Sequence, residues 1–150
     1  MFDITPIQSS DTLEAGALIA ALRADMNGRE VCTDQEMQAV LERSLQEPTY
    51  QGFIARDTSG EALGYVGVNR RFAIYAGGTF LQITELFVSP KARRSGMATR
   101  LLTKAHAYAR AVGASCIELG APGIESHPET HAFYASQGFK VVGPRLSKTV

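Results

Sequence analysis

Apolar positions recur along this chain at two periods, and the places where one period gives way to the other mark out the elements. Phe2-Asp-Ile-Thr-Pro-Ile7 alternates apolar and polar residues as a short strand does. Ser9, Ser10 and Asp11 are cap-forming residues, and the run after them predicts a helix to about Met26, broken by Asn27-Gly28. Thr33 and Glu36 stand at capping-box spacing ahead of an apolar stripe of Met37, Val40, Leu41 and Leu45 that stops near Pro48. Two consecutive helices are therefore expected before the sheet resumes.

Strand patterns follow at Tyr50 to Asp57 and at Ala62 to about Arg71, joined by a Thr58-Ser-Gly60 turn. Gly77-Gly78 then turns the chain into a long strand from Thr79 to Val88. Met97, Leu101, Ala105, Tyr108 and Val112 lie on one face of a helix that Gly113 stops. Cys116-Ile-Glu-Leu119 reads as a strand and Pro128 to Gln137 as a helix. Phe139 to about Val142 reads as another strand, and Arg145 to Val150, beyond Pro144, as a final short one. Such an order predicts an α/β fold, a mixed sheet with helices on both faces, in a single domain spanning residues 1–150.

Composition adds mainly exclusions. A chain of 150 residues buries on the order of 70% of its unfolded surface, enough for a core without staples. The N-terminus lacks a basic-then-apolar leader, and no apolar run approaches the roughly 20 residues that cross a bilayer; a cytoplasmic protein with no membrane partner is expected. Zero formal net charge argues against a nucleic-acid partner. Cys32 and Cys116 are too few for a disulfide framework, and buried or inert thiols are expected. His127 and His131 share a helix face but lack a third ligand, so no metal is expected. His106 is expected on the solvent face of its helix.

Charge changes the picture locally. Between Glu85 and Glu118 the charged residues are Lys91, Arg93, Arg94, Arg100, Lys104 and Arg110, with no acid among them. They surround the start of a helix, whose first N–H groups lack intrahelical partners and carry the positive end of the helix dipole. That end is a natural anion site. Ser95 is able to cap the helix or to bond a phosphate oxygen, and Gly96 has no Cβ to hold a bulky anion away. The alternative is an ordinary strand-turn-helix with solvated arginines. Neither Gly-Lys-Ser/Thr nor Gly-x-Gly-x-x-Gly is present, so a mononucleotide or dinucleotide reading falls behind.

Two motifs here resemble the GNAT acyltransferases, which move an acyl group from coenzyme A to an amine. Arg93-x-x-Gly96-x-Ala98 resembles that family's pyrophosphate loop, and the preceding Leu86-Phe87-Val88-x-Pro90 resembles its apolar strand. About forty residues on, Ala132-Phe133-Tyr134-Ala-Ser-Gln-Gly138-Phe139 resembles its Phe-Tyr-x-x-x-Gly-Phe segment. The sequence departs from the commonest form at Arg94, where glycine is frequent, and at His127, where asparagine is.

The resemblance implies the GNAT fold, with a mostly antiparallel central sheet that splays open near Val88. There Leu86, Phe87 and Val88 would offer backbone groups to the pantetheine arm. Arg93, Arg94, Ser95, Gly96, Met97, Ala98 and Thr99 would hold the pyrophosphate. It also implies an acetyl-CoA-dependent N-acetyltransferase working by direct transfer, with Tyr134 as general acid toward the departing thiolate. Glu85 is the first candidate for general base, because an alkylammonium with a pKa of about 10 must lose a proton near neutrality. A backbone N–H near Phe87 and Val88 would serve the oxyanion. The alternative is a non-catalytic acyl-CoA sensor of the same fold, which needs the loop but neither acid nor base. The acceptor, a small-molecule or peptide amine, stays open, as do acyl groups other than acetyl. In the family the acceptor is shaped by segments that correspond here to Arg23–Thr33 and Arg70–Gly78, and homodimers are common.

Overall fold

Five strands form one sheet in the order in which they occur along the chain: β1 (Asp3–Pro6), β2 (Tyr50–Arg56), β3 (Ala62–Ala73), β4 (Gly78–Val88) and β5 (Ile117–Leu119). In this computed structural model, which describes residues 1–150, the first four pair antiparallel. Ser115 N–H bonds the Thr79 carbonyl and Leu81 N–H the Cys116 carbonyl, both at 3.0 Å, so the two segments advance in the same direction. The sheet is thus mixed, because a helix separates these strands whereas hairpins join the others. The helices are α1 (Thr12–Asn27), α2 (Asp34–Ser44), α3 (Met97–Ala111) and α4 (Pro128–Ser136).

Local signals account for the helix ends. Thr33 Oγ1 accepts from Glu36 N–H at 3.1 Å while the Glu36 carboxylate accepts from Thr33 N–H at 2.9 Å, the reciprocal cap that the spacing announces. Gly28 closes α1 in the left-handed region at φ 69°.

The chain divides into two units, Met1–Glu118 and Leu119–Val150. Within the first, adjacent strand residues face opposite ways. Ile54, Tyr65 and Phe87 join Ile7, Ala15, Leu18 and Leu41 in a core on the α1 and α2 face. On the other face Gly64 lies beneath Met97 and Leu101 of α3, and Phe53 meets Tyr108 edge-on at 5.9 Å. Met97 and Leu101 are fully buried, each worth about 1.5–3 kcal/mol of hydrophobic stabilisation. Gly16 lets α1 cross α2 closely, since a Cβ there would stand 2.8 Å from Gln38 N and 2.9 Å from the Asp34 carbonyl oxygen.

In the second unit α4 starts on Pro128 and ends at Ser136 with Gln137 as its cap, after which Gly138 turns at φ 91° and Phe139 N–H returns to the Tyr134 carbonyl. The strands expected over Phe139–Val142 and Arg145–Val150 are absent: Val141, Val142 and Leu146 stand more than four-fifths exposed. A β pattern becomes a strand only where an open edge accepts it. Here Gly143 at φ 142° and Pro144, which has no N–H, cut the run short. Of the two alternatives for the cysteines, burial does not hold, for Cys32 is half-buried and Cys116 exposed.

Candidate active site

The middle of β4 is irregular. Glu85 pairs with Gly67 but Ile83 pairs with Val68, so Thr84 has no partner of its own and forms a bulge. A bulge bends its strand and re-aims side chains. Here it sets Thr84 beside Glu85, and Thr84 Oγ1 donates to Glu85 Oε1 at 2.8 Å. Tyr50, the first residue of β2, donates to the same oxygen at 3.2 Å. The Tyr50 and Tyr65 hydroxyls lie 2.6 Å apart, and Asn69 Nδ2 donates to Thr84 Oγ1 at 3.1 Å.

Room for this cluster comes from missing side chains. Gly52, Gly67 and Glu85 form one row across β2, β3 and β4. A Cβ on Gly67 would overlap Glu85 Oε1 and stand 2.5 Å from the Tyr50 hydroxyl, and one on Gly52 would overlap the Tyr65 hydroxyl. Two glycines opposite each other weaken a sheet unless something occupies the space. Three polar side chains occupy it.

Burial pushes the Glu85 carboxyl above the usual carboxylate range, opposed by the hydrogen bonds from Thr84 and Tyr50. Burial also pushes both tyrosines upward. For Tyr50 the neighbouring Tyr65 and Glu85 add to it; for Tyr65 the bond to Tyr50 opposes it and the charge of Glu85 adds. Both phenols therefore keep their protons near neutrality. Glu85 Oε2 has no hydrogen-bond partner and is not sealed from solvent. A carboxylate with one oxygen bonded twice and the other open is equipped to take a proton.

Toward its end β4 still pairs with β3, Leu86 with Val66, Phe87 with Tyr65 and Val88 with Gly64. On its other side β5 has three residues against the eleven of β4, and its ladder begins at Thr79 and Leu81. The edge of Leu86–Val88 thus lies beyond it, matching the expected splay.

Beyond Val88 the chain makes a short 3-10 turn over Pro90–Ala92 and enters α3 at Gly96. Gly96 adopts φ 86°, and nothing lies within 4 Å of where its Cβ would be. Arg94, at φ 60°, is the one non-glycine residue in the left-handed region, at the position where glycine is frequent in the resembling loop. Ser95 does not cap the helix, because its hydroxyl donates to the Ala92 carbonyl. Arg93 turns back, with Nε bonded to the Val88 carbonyl at 3.1 Å and Nη2 paired with Asp25 at 2.7 Å. Asp25 is therefore engaged by Arg93. Met97 is buried in the core beneath α3, while Ala98 and Thr99 complete the first turn with exposed or half-exposed side chains. An open, glycine-lined mouth with free first-turn N–H groups fits a pyrophosphate.

The sequence matches the family model described as the acetyltransferase (GNAT) family over residues 17–139. The chain belongs to the GNAT acetyltransferases. No curated protein matches it closely enough to count as a relative. Among solved structures it is similar to the aminoglycoside N-acetyltransferase AAC(6')-Iy in complex with CoA, at 18% identity over 100% of this chain and 95% of that one, with a TM-score of 0.83. It is also similar to a ribosomal-protein-alanine N-acetyltransferase from Brucella melitensis biovar Abortus 2308, at 22% identity over 100% and 99% of the two chains and a TM-score of 0.74. A transcriptional regulator from Bacillus halodurans C-125 gives 18% identity, complete coverage of both chains and a TM-score of 0.83. At these identities the likeness establishes the GNAT fold, and the family makes the chain an acetyltransferase.

Tyr134 of this GNAT chain is half-buried in the second unit, its ring between Phe133 at 5.6 Å and Phe139 at 5.7 Å. Its hydroxyl makes no hydrogen bond, and burial raises its pKa above that of a free phenol. His131 Nε2 is bonded to the Pro122 carbonyl at 2.5 Å and His127 Nδ1 to Ser126 at 2.9 Å, so the two histidines serve separate contacts. No motif marks Tyr50, Tyr65, Thr84 or Asn69. The available signal was a glycine inside each of two apolar strand patterns, Gly52 and Gly67, which marks a close approach or a bulge.

Proposed function

We propose that this protein transfers the acetyl group of acetyl-CoA directly to the amine of an acceptor, with Glu85 as general base and Tyr134 as general acid. The observation that carries the reading is Glu85 itself: a half-buried carboxylate on β4, bonded twice at Oε1 and open at Oε2, three residues from the strand end that leads into the Gly96 mouth. Arg93 to Thr99 receive the pyrophosphate of the donor, with the first-turn N–H groups of α3 as its ligands and Arg94 as added charge. Backbone groups of Leu86, Phe87 and Val88 hold the pantetheine arm, and an N–H in the Phe87–Val88 segment faces the carbonyl oxygen as it gains charge.

Glu85 accepts the ammonium proton at Oε2, so that the neutral amine attacks the thioester carbon. Tyr134 then protonates the thiolate as the carbon–sulfur bond breaks, and its phenolate is returned to the phenol by the second proton that the attacking nitrogen releases on becoming an amide; its raised pKa keeps the phenol protonated beforehand. The acceptor is a small-molecule or peptide amine.

Thiol release from acetyl-CoA, followed colorimetrically across amines, polyamines, aminoglycosides and peptides, tests this reading. Turnover with at least one amine, abolished in Glu85→Gln, is the expected result. No turnover with any acceptor and no coenzyme binding by calorimetry would overturn it. Tight binding without turnover would favour an acyl-CoA sensor, which requires the loop alone.

A further inference from the structure

The carboxylate of Glu85 sits at the meeting point of a hydrogen-bond chain that runs through three strands. Thr84 and Tyr50 both donate to Oε1, and each has only one proton to give. With the Tyr50 proton directed at Glu85, the 2.6 Å contact between the two tyrosines requires Tyr65 to donate to Tyr50. Asn69 donates to Thr84 in the same sense. Four donors are thus ordered toward one oxygen, Tyr65 through Tyr50 and Asn69 through Thr84.

The surroundings show that the arrangement is built. Tyr65 is fully buried, and its hydroxyl fits only because residue 52 is glycine; the contact between Tyr50 and Glu85 fits only because residue 67 is glycine. Other charges do not enter. Neither α1 nor α2 sends an ion pair or hydrogen bond to Glu85, and the influences on its carboxyl are burial, Thr84 and Tyr50.

We propose that Tyr50 and Thr84 are positioning residues that clamp Oε1 of Glu85, braced by Tyr65 and Asn69, and so present Oε2 as the single carboxylate oxygen available to the acceptor amine. The proposal rests on Glu85 being the base. The clamp fixes where the amine nitrogen must stand, because Oε2 cannot rotate away without breaking both bonds at Oε1. It also gives the buried carboxylate the donors it needs to stay ionised without a neighbouring cation.

The test compares Tyr50→Phe, Thr84→Val and Glu85→Gln with the parent chain. It measures kcat and KM across pH together with the titration of the 13C-labelled Glu85 carboxyl by NMR. Thr84 is exposed, so its variant does not disturb the core. Removing either donor should lower the kcat plateau about tenfold or more, with the KM for acetyl-CoA unchanged. The acidic limb of kcat/KM and the NMR midpoint should both move to higher pH, because the ionised form has lost a hydrogen bond. Tyr50→Phe and Thr84→Val with parental plateaus, profiles and NMR midpoints would overturn the clamp while leaving Glu85 as the base. A fully active Glu85→Gln would remove the base and the clamp with it, whatever the NMR shows.

Discussion

The bulge near the middle of β4 and the loop beyond its end lie about a dozen residues apart, yet they are made in opposite ways. The loop is local. The groups proposed to work there are consecutive N–H groups of Gly96 to Thr99, presented by the start of a helix and left open by a residue with no side chain. The bulge pocket is assembled. Tyr50, Tyr65, Asn69 and Glu85 come from three strands and meet because Gly52 and Gly67 leave a space in the row between them. Backbone sites of the first kind tolerate changes of side chain; side-chain sites of the second kind depend on each neighbour's shape.

The largest effect should come from the centre of the pocket. Glu85→Gln is expected to lower kcat by about 10²- to 10⁴-fold, the usual worth of a general base, with coenzyme affinity intact by calorimetry. Equal losses of both would show that pocket and loop are not separable. Gly67→Ala comes next. Its methyl group displaces the Glu85 carboxylate without touching the loop, and a misplacement of about 1 Å costs roughly 10²-fold in kcat. Parental turnover in that variant would mean that the geometry of the pocket is not used.

Gly96→Val tests the loop. A left-handed backbone costs a branched residue about 1–2 kcal/mol, so coenzyme affinity should fall roughly tenfold while the pH profile of the remaining turnover stays unchanged. A displaced acidic limb would tie the loop to the pocket.

A smaller effect concerns stability. Burial raises the folded pKa of Glu85, so between the ordinary carboxylate value of about 4.3 and that raised value the native state holds a proton that the unfolded chain releases. Stability from this group therefore falls as pH rises through that window. Glu85→Gln should melt higher than the parent at neutral pH, by up to about 4 °C, and equal it below about pH 4, as thermal unfolding across pH would show. Arg94→Gly should move least. Relief at φ 60° and the added freedom of the unfolded chain nearly cancel, leaving the melting temperature within a degree or two. Its coenzyme affinity would isolate the contribution of one charge.

Much of this molecule can be read directly from residue order. Thr33 and Glu36 announce their cap, Gly28 and Gly113 their helix ends, and the stripe from Met97 to Ala105 the buried face of α3, because each depends on residues within about one or two helical turns. The family follows from short contiguous motifs for the same reason.

Tertiary structure alone decided the rest. It closed the network around Glu85, because strand register brings residues 50, 65 and 85 together across the sheet, and no contiguous motif spans residues that far apart in sequence. It paired Asp25 with Arg93 and turned the Ser95 hydroxyl to the Ala92 carbonyl, away from the start of α3. It left Phe139 to Val150 without strands, since a β pattern proposes an edge but only a neighbouring strand completes it.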